Sequence, residues 1–248
     1  MESLVEQDLQ KLSFFVHQEK ILPEDSEELV RILDRYFGEH GRNPIFRRIC
    51  LDISPRFSEF LSHFDLTNGT AFASRFFLFS YTLLGQDAFI SGGQNEIYTN
   101  VALPFQKWVE DKGENFNNLI NEIEEGADYV FICRRAITSG LYAPGKSIYT
   151  YVKTLLERGE DVWVIALWAV DDKFLNLQNQ YSKLRISALF RNNLDVNLIA
   201  VIEILKLVKP KVIITETEFE LPSILAILNK KIPMIYMAQG YYNVPWYD

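Results

Sequence analysis

The residues able to do chemistry gather in four short stretches. The first is Gly140-Leu141-Tyr142-Ala143-Pro144-Gly145-Lys146-Ser147, which satisfies Gly-x4-Gly-Lys-Ser. In nucleotide hydrolases and kinases such a run cradles phosphates on backbone N–H groups, while its lysine reaches the terminal phosphates and its serine holds Mg²⁺. Val164 to Asp171 supplies the apolar strand with a terminal acid that such a site uses. The spacing departs from that pattern, because Arg134 to Ser139 separate the first glycine from the preceding apolar run. Gly145 is then either a phosphate contact or the plain turn before a helix. Lys146 and Ser147 are either ligand-binding or a solvated first turn. The second stretch, Arg134-Arg135, either flanks a phosphate-binding cleft or is an exposed strand end. The third is Glu216, with Glu218 and Glu220 after it. A carboxylate there either faces a ligand or merely favours the start of the following helix. The fourth, Gln239-Gly240, is a ligand-facing turn or a plain one. His17, His40 and His63 match no metal-ligand spacing, so no metal site is expected. Cys133 reads as a buried strand residue rather than a nucleophile.

These stretches share one type of location. Tyr129-Val130-Phe131-Ile132-Cys133 is a short β-branched and aromatic run. After the loop from Ala136 to Gly145, Ser147 opens a helix with Ile148, Tyr151, Val152, Leu155 and Leu156 at helical spacing, and Gly159 stops it. Val162 to Trp168 is apolar almost throughout, as a strand covered on both faces would be. Asp171 to Tyr181 is a loop or short helix, and Lys183 to Phe190 a strand. A helix through Val208, a strand Val212 to Thr215, a helix Leu221 to Leu228 and a strand Ile232 to Met237 complete the series. Strands alternating with helices predict a Rossmann-like, doubly wound parallel sheet of about five strands, in the order 3-2-1-4-5. Ligands of such sheets bind where the order reverses, at the C-terminal ends of strands one and four. Every chemical stretch above follows the C-terminal end of one of these strands.

Residues 1–125 read as all-helical. Leu4, Val5, Leu9, Leu12 and Phe15 recur at helix spacing, and Pro23-Glu24-Asp25 opens a second helix with acids in its first turn. Asn43-Pro44 and Ser54-Pro55 are cap-then-proline starts. Phe72 to Leu84 forms an apolar helix, Gln86 to Asn95 a connection, and Ile97–Lys112 (with Pro104 near its middle) and Phe116–Glu125 two further helices. Charge divides with the pattern, −10 for residues 1–125 and +2 for 126–248. The division expected is therefore a helical domain, 1–125, and a Rossmann-like domain, 126–248. The overall charge of −8 gives no support to nucleic-acid binding. Only two cysteines, Cys50 and Cys133, argue against a disulfide scaffold and fit a cytoplasmic location. No apolar run approaches the roughly 18 residues of a membrane span. The aromatic end, Tyr241 to Asp248, lacks the further helix and strand such a sheet usually adds, so the chain reads as part of something longer.

Three segments in order resemble the N-terminal, acceptor-side half of a GT-B nucleotide-sugar glycosyltransferase. That family opens with a glycine loop and a helix ending in Leu-x-x-Arg-Gly-His-x-Val. Here stand Gly145-Lys146 and then Leu155-Leu156-Glu157-Arg158-Gly159-Glu160-Asp161-Val162. Its Lys-Pro-Asp-Val-Val-His-x-His is matched by Lys209-Pro210-Lys211-Val212-Ile213-Ile214-Thr215-Glu216. Its Ile-Pro-Val-Val-x-Thr-x-His-Gly is matched by Ile232-Pro233-Met234-Ile235-Tyr236-Met237-Ala238-Gln239-Gly240. Glu216 and Gln239 stand where the family has histidines, and the first loop has one glycine of the usual pair.

The resemblance implies a sugar-transfer enzyme whose nucleotide-sugar donor, a substrate rather than a cofactor, is bound mostly by a second α/β half. This half would line a saccharide or other hydroxyl acceptor, with Glu216 as the catalytic residue that orients the acceptor hydroxyl. Gly145, Lys146, Arg134, Gln239 and Gly240 would contact the acceptor or the donor phosphates. Two alternatives stay open: a phosphate-loop nucleotide enzyme using Gly140 to Ser147, and a non-catalytic interaction module.

Overall fold

A computed structural model describes residues 3–35, 45, 52–76, 98–123, 128–140, 142–189, 194–216 and 221–237. The chain divides into two compact units, Met1–Lys112 and Gly113–Asp248. The first is helical. It holds α1 (Leu4–His17), α2 (Pro23–Arg35), a 3-10 turn at Ser54–Arg56 leading into α3 (Phe57–Leu61), a helical run over 66–76, and a π-helical turn at Tyr98–Ala102 leading into α4 (Leu103–Lys112). The expected helix across Ile97–Lys112 is therefore split. Pro104 lacks an N–H and sits where a regular ladder can begin, with the wider turn before it. An aromatic core fills this unit, with the Phe57 ring 5.4 Å from Phe72 and 5.1 Å from Phe76. Arg35 spans to the buried Asp8 through two bonds of 3.1 and 2.6 Å. His63 meets the Ile21 carbonyl at 3.0 Å, a structural use of that ring. His40 lies outside the described residues.

The second unit is a Rossmann-like α/β fold. Its elements are α5 (Glu114–Asn121), β1 (Asp128–Ala136), α6 (Ala143–Glu157), β2 (Val162–Val170), α7 (Asp172–Gln180), β3 (Leu184–Ala188), α8 (Leu194–Val208), β4 (Pro210–Glu216), α9 (Leu221–Leu228) and β5 (Met234–Met237). Helix α5 packs against α8 and α9, so it belongs with the sheet unit, whereas the charge pattern grouped it with the helices before it. All four strand pairs are parallel and the order is β3-β2-β1-β4-β5, as the alternating pattern requires.

Alternation along β1 decides the layers. Phe131 and Cys133 join Ile148, Val152 and Leu156 of α6, and Phe174 and Leu177 of α7, in one buried cluster. Helices α5, α8 and α9 form the other layer. Helix α6 ends at Gly159, whose φ of +84° closes the last turn, with its N–H on the Leu156 carbonyl at 2.9 Å. Helix α8 ends on Lys209, a side-chain-bearing residue at φ +52°, directly before Pro210. No helix among the described residues is long and apolar enough to cross a membrane.

Candidate functional site

The site lies at the C-terminal ends of β1, β2 and β4, and three features of the chain build it. First, β1 runs on through both arginines to Ala136, past the apolar run. Its register against β2 slips there: Cys133 faces Ala166, but Arg135 faces Ala169. Such irregularities re-aim side chains. Neighbouring residues on a strand ordinarily point to opposite faces, yet both guanidinium groups reach one indole. Arg134 lies 4.3 Å and Arg135 4.4 Å from the Trp168 ring centroid, and that ring is half exposed.

Second, α6 starts at Ala143, earlier than the helical spacing from Ser147 indicates. Pro144 falls in the first turn, where its missing N–H costs nothing and its fixed φ suits the helix. Gly145 and Lys146 therefore lie within the helix and not in a loop. A Cβ on Gly145 would come 1.8 Å from the Ile137 carbonyl oxygen, so only glycine lets this turn lie against the end of β1. Lys146 is exposed, and its Nζ donates to the Gly140 carbonyl at 2.8 Å. No side chain caps α6, and no acid lies in its first turn. Its N-cap residue is Tyr142, whose ring lies 5.9 Å from the Arg135 guanidinium.

Third, β4 ends on Glu216, which is 1% exposed. Its Oε1 accepts from the Arg134 backbone N–H at 2.7 Å and from the Tyr142 hydroxyl at 2.7 Å. Its Oε2 is buried with no hydrogen-bond partner among the described residues. Burial pushes this carboxyl above its ordinary value, against the bonds from Tyr142 and the Arg134 backbone, the nearby Arg135 backbone N–H and the charge of Arg134. With Oε1 occupied as an acceptor, the hydrogen-bonding capacity that remains is at Oε2, whether ionised or protonated.

Asp171, at the end of β2, has a different task. Its Oδ2 accepts from Thr138 N–H at 2.6 Å and Thr138 Oγ1 at 2.9 Å, and its Oδ1 caps α7 through Phe174 N–H at 3.1 Å. Burial raises this carboxyl, but those bonds outweigh it and hold the group below its ordinary value. The acid that a phosphate-loop reading assigns to Mg²⁺ is thus already occupied in tying the loop down. Among the described residues no three of His, Cys, Asp and Glu converge as a metal site would require.

Of the residues the sequence singled out, Arg134, Gly145, Lys146 and Glu216 come to this one end of the sheet, and Glu216 bonds Arg134 directly. Gln239 and Gly240 lie outside the described residues. Sequence reasoning passed over Tyr142 and Trp168. An aromatic at the end of an apolar strand and a tyrosine just before a proline-started helix were the available signals.

Fold and site together define a Rossmann-like α/β unit with a cluster of polar side chains at its β1/β4 switch point. No protein-family model, curated protein or solved structure matches the chain.

Proposed function

We propose that the sheet unit is the acceptor-side half of a GT-B-type glycosyltransferase, and that Glu216 receives the hydroxyl to which the sugar is transferred. One observation carries this reading: a buried carboxyl at the switch point keeps one oxygen, Oε2, without a hydrogen-bond partner among the described residues. Buried polar atoms are rarely left so, and a substrate hydroxyl donating to Oε2 satisfies it. The other oxygen, fixed by Tyr142 and Arg134, sets the orientation of the carboxyl. A carboxyl raised toward the working pH is also a stronger proton acceptor once ionised. Support from the sequence is the order of the three matched segments, the second of which ends on Glu216.

The test is titration of the isotope-labelled chain with monosaccharides, disaccharides and nucleotide sugars. Saccharides should shift the amide signals of Arg134, Tyr142 and Glu216, while nucleotide sugars bind only weakly, their main contacts belonging to a second half. Micromolar donor binding would overturn the acceptor-side assignment. Saccharides that leave those three signals in place would overturn the proposal altogether.

A further inference from the structure

The helical unit carries a cavity of about 450 Å³, within the roughly 300–1,000 Å³ of small-molecule sites. It belongs to the unit that has no part in the acceptor-side reading. Helix α3 supplies Leu61 to its wall, the π-helical turn supplies Thr99, and α4 supplies Leu103 and Trp108. Wide turns of this kind are frequent at functional sites.

The Trp108 ring is the fixed part of that wall. Its Cη2 and Cζ2 lie 2.3 and 2.5 Å from where a Cβ on Gly69 would stand, so the glycine lets the ring come this close. Phe105 stacks beside it, with centroids 6.1 Å apart. Its Nε1 is buried with no hydrogen-bond partner among the described residues, although buried indole N–H groups usually find an acceptor.

Two charges of opposite sign line the same cavity. Lys107 and Asp111 are exposed, lie one helical turn apart on α4, and form no ion pair among the described residues. Side chains at that spacing have Cβ atoms about 5–6 Å apart, but a base placed before an acid is the weaker order for pairing. Both charges are thus left over beside an apolar wall. A ligand that answers this arrangement has a cation, an anion and an apolar body close together. A peptide holds its two terminal charges apart, whereas a free α-amino acid holds both on one carbon.

We infer that the cavity binds a free α-amino acid with a large apolar side chain. Its carboxylate meets Lys107, its ammonium meets Asp111, and its side chain lies against Leu61, Leu103 and Trp108. The Thr99 hydroxyl adds a hydrogen-bonding group on the same wall.

The experiment titrates the full 248-residue chain with L-leucine, N-acetyl-L-leucine, L-leucinamide and glycine. Binding is followed by calorimetry and by the indole N–H signal of Trp108. Leucine should bind and shift that signal. N-acetyl-leucine lacks the ammonium and leucinamide the carboxylate, so each should bind about tenfold or more weakly, the worth of one charge-assisted bond. Glycine has both charges but no apolar body and should leave the signal in place. Lys107→Gln should lower leucine to the level of leucinamide without altering leucinamide itself. Asp111→Asn should do the same toward N-acetyl-leucine. Both residues are exposed, so neither substitution endangers the fold. Leucine that leaves the Trp108 signal unmoved at millimolar concentration would overturn the site. Equal binding of leucine and its two capped analogues would overturn the ligand class. The acceptor-side reading is tested by different signals, those of Arg134, Tyr142 and Glu216, which these probes should not move.

Discussion

Replacing Gly145 with alanine tests whether the first turn of α6 lies as close to β1 as described. The new methyl carbon would stand 1.8 Å from the Ile137 carbonyl oxygen and 2.8 Å from its carbonyl carbon. To reach even 3.0 Å, a backbone group at the end of a central strand must retreat by more than an ångström. Overpacking of this kind costs about 3 kcal/mol where backbone has to move. Alanine's better helix propensity returns about 1 kcal/mol. The net loss is about 2 kcal/mol, which lowers the melting temperature by about 4–8 °C for a chain of this size. Gly140→Ala is the control, because its φ of +66° strains any side chain while nothing lies within 4 Å of the new atom. Its cost is the left-handed conformation alone, about 1 kcal/mol. Thermal and denaturant unfolding of both variants, followed by circular dichroism, decides the matter. Gly145→Ala within about 0.5 kcal/mol of the parent, or less harmful than Gly140→Ala, would refute the close approach.

Tyr142→Phe deletes the hydroxyl on a buried carboxyl and should cost about 1–3 kcal/mol in denaturant unfolding; no loss would mean the bond is not made in solution. For Glu216 the direction with pH follows from its raised position. The folded chain holds this proton more tightly than the unfolded chain, so the stabilisation is full below the ordinary value of 4.5 and is lost as pH rises through the folded-state value. Glu216→Gln should remove that decline, and unfolding free energies across about pH 4 to 8 would show an unchanged slope if burial does not act as argued. Asp171 has the opposite sign: its contribution is present above its ordinary 3.8 and lost as pH falls through the depressed folded-state value. Asp171→Ala should cost about 2 kcal/mol by uncapping α7 and leaving Thr138 without its acceptor. In the helical unit, Arg35→Met leaves the buried Asp8 without its bidentate partner. A loss of about 3 kcal/mol is expected, and a variant as stable as the parent would show that the pair contributes nothing.

The sheet was legible in the sequence because strands buried on both faces are written as unbroken apolar runs. Val162 to Trp168 and Val212 to Thr215 could hardly be anything else, and the helices between them leave few topologies. The place of Glu216 followed from the end of β4. What lay beyond the sequence was tertiary. Nothing local says that Ile137 passes so near Gly145, so the glycine's purpose read as phosphate contact or turn. Arg134-Arg135 read as the end of β1, but pairing with β2 carries the strand on to Ala136, and the slip after Cys133 brings both arginines to Trp168. The early start of α6 was marked by Pro144, a signal outweighed by the apolar spacing that begins only at Ile148.

The bonds on Glu216 also bear on the order in which the chain folds. They connect residues 82 and 74 positions apart, from β4 back to β1 and to the start of α6. Pairing of β1 with β2 closes only one crossover, whereas the chain leaving β3 must cross back over β2 and β1 before β4 can pair on the far side of β1. Contacts of such long range are slow to form because the intervening chain must be ordered first. The cluster around Glu216 is therefore among the last parts of the unit to be assembled. Until β4 docks, Tyr142 and the Arg134 amide lack the Glu216 carboxyl, and a ligand of this site would bind only molecules that have completed that step.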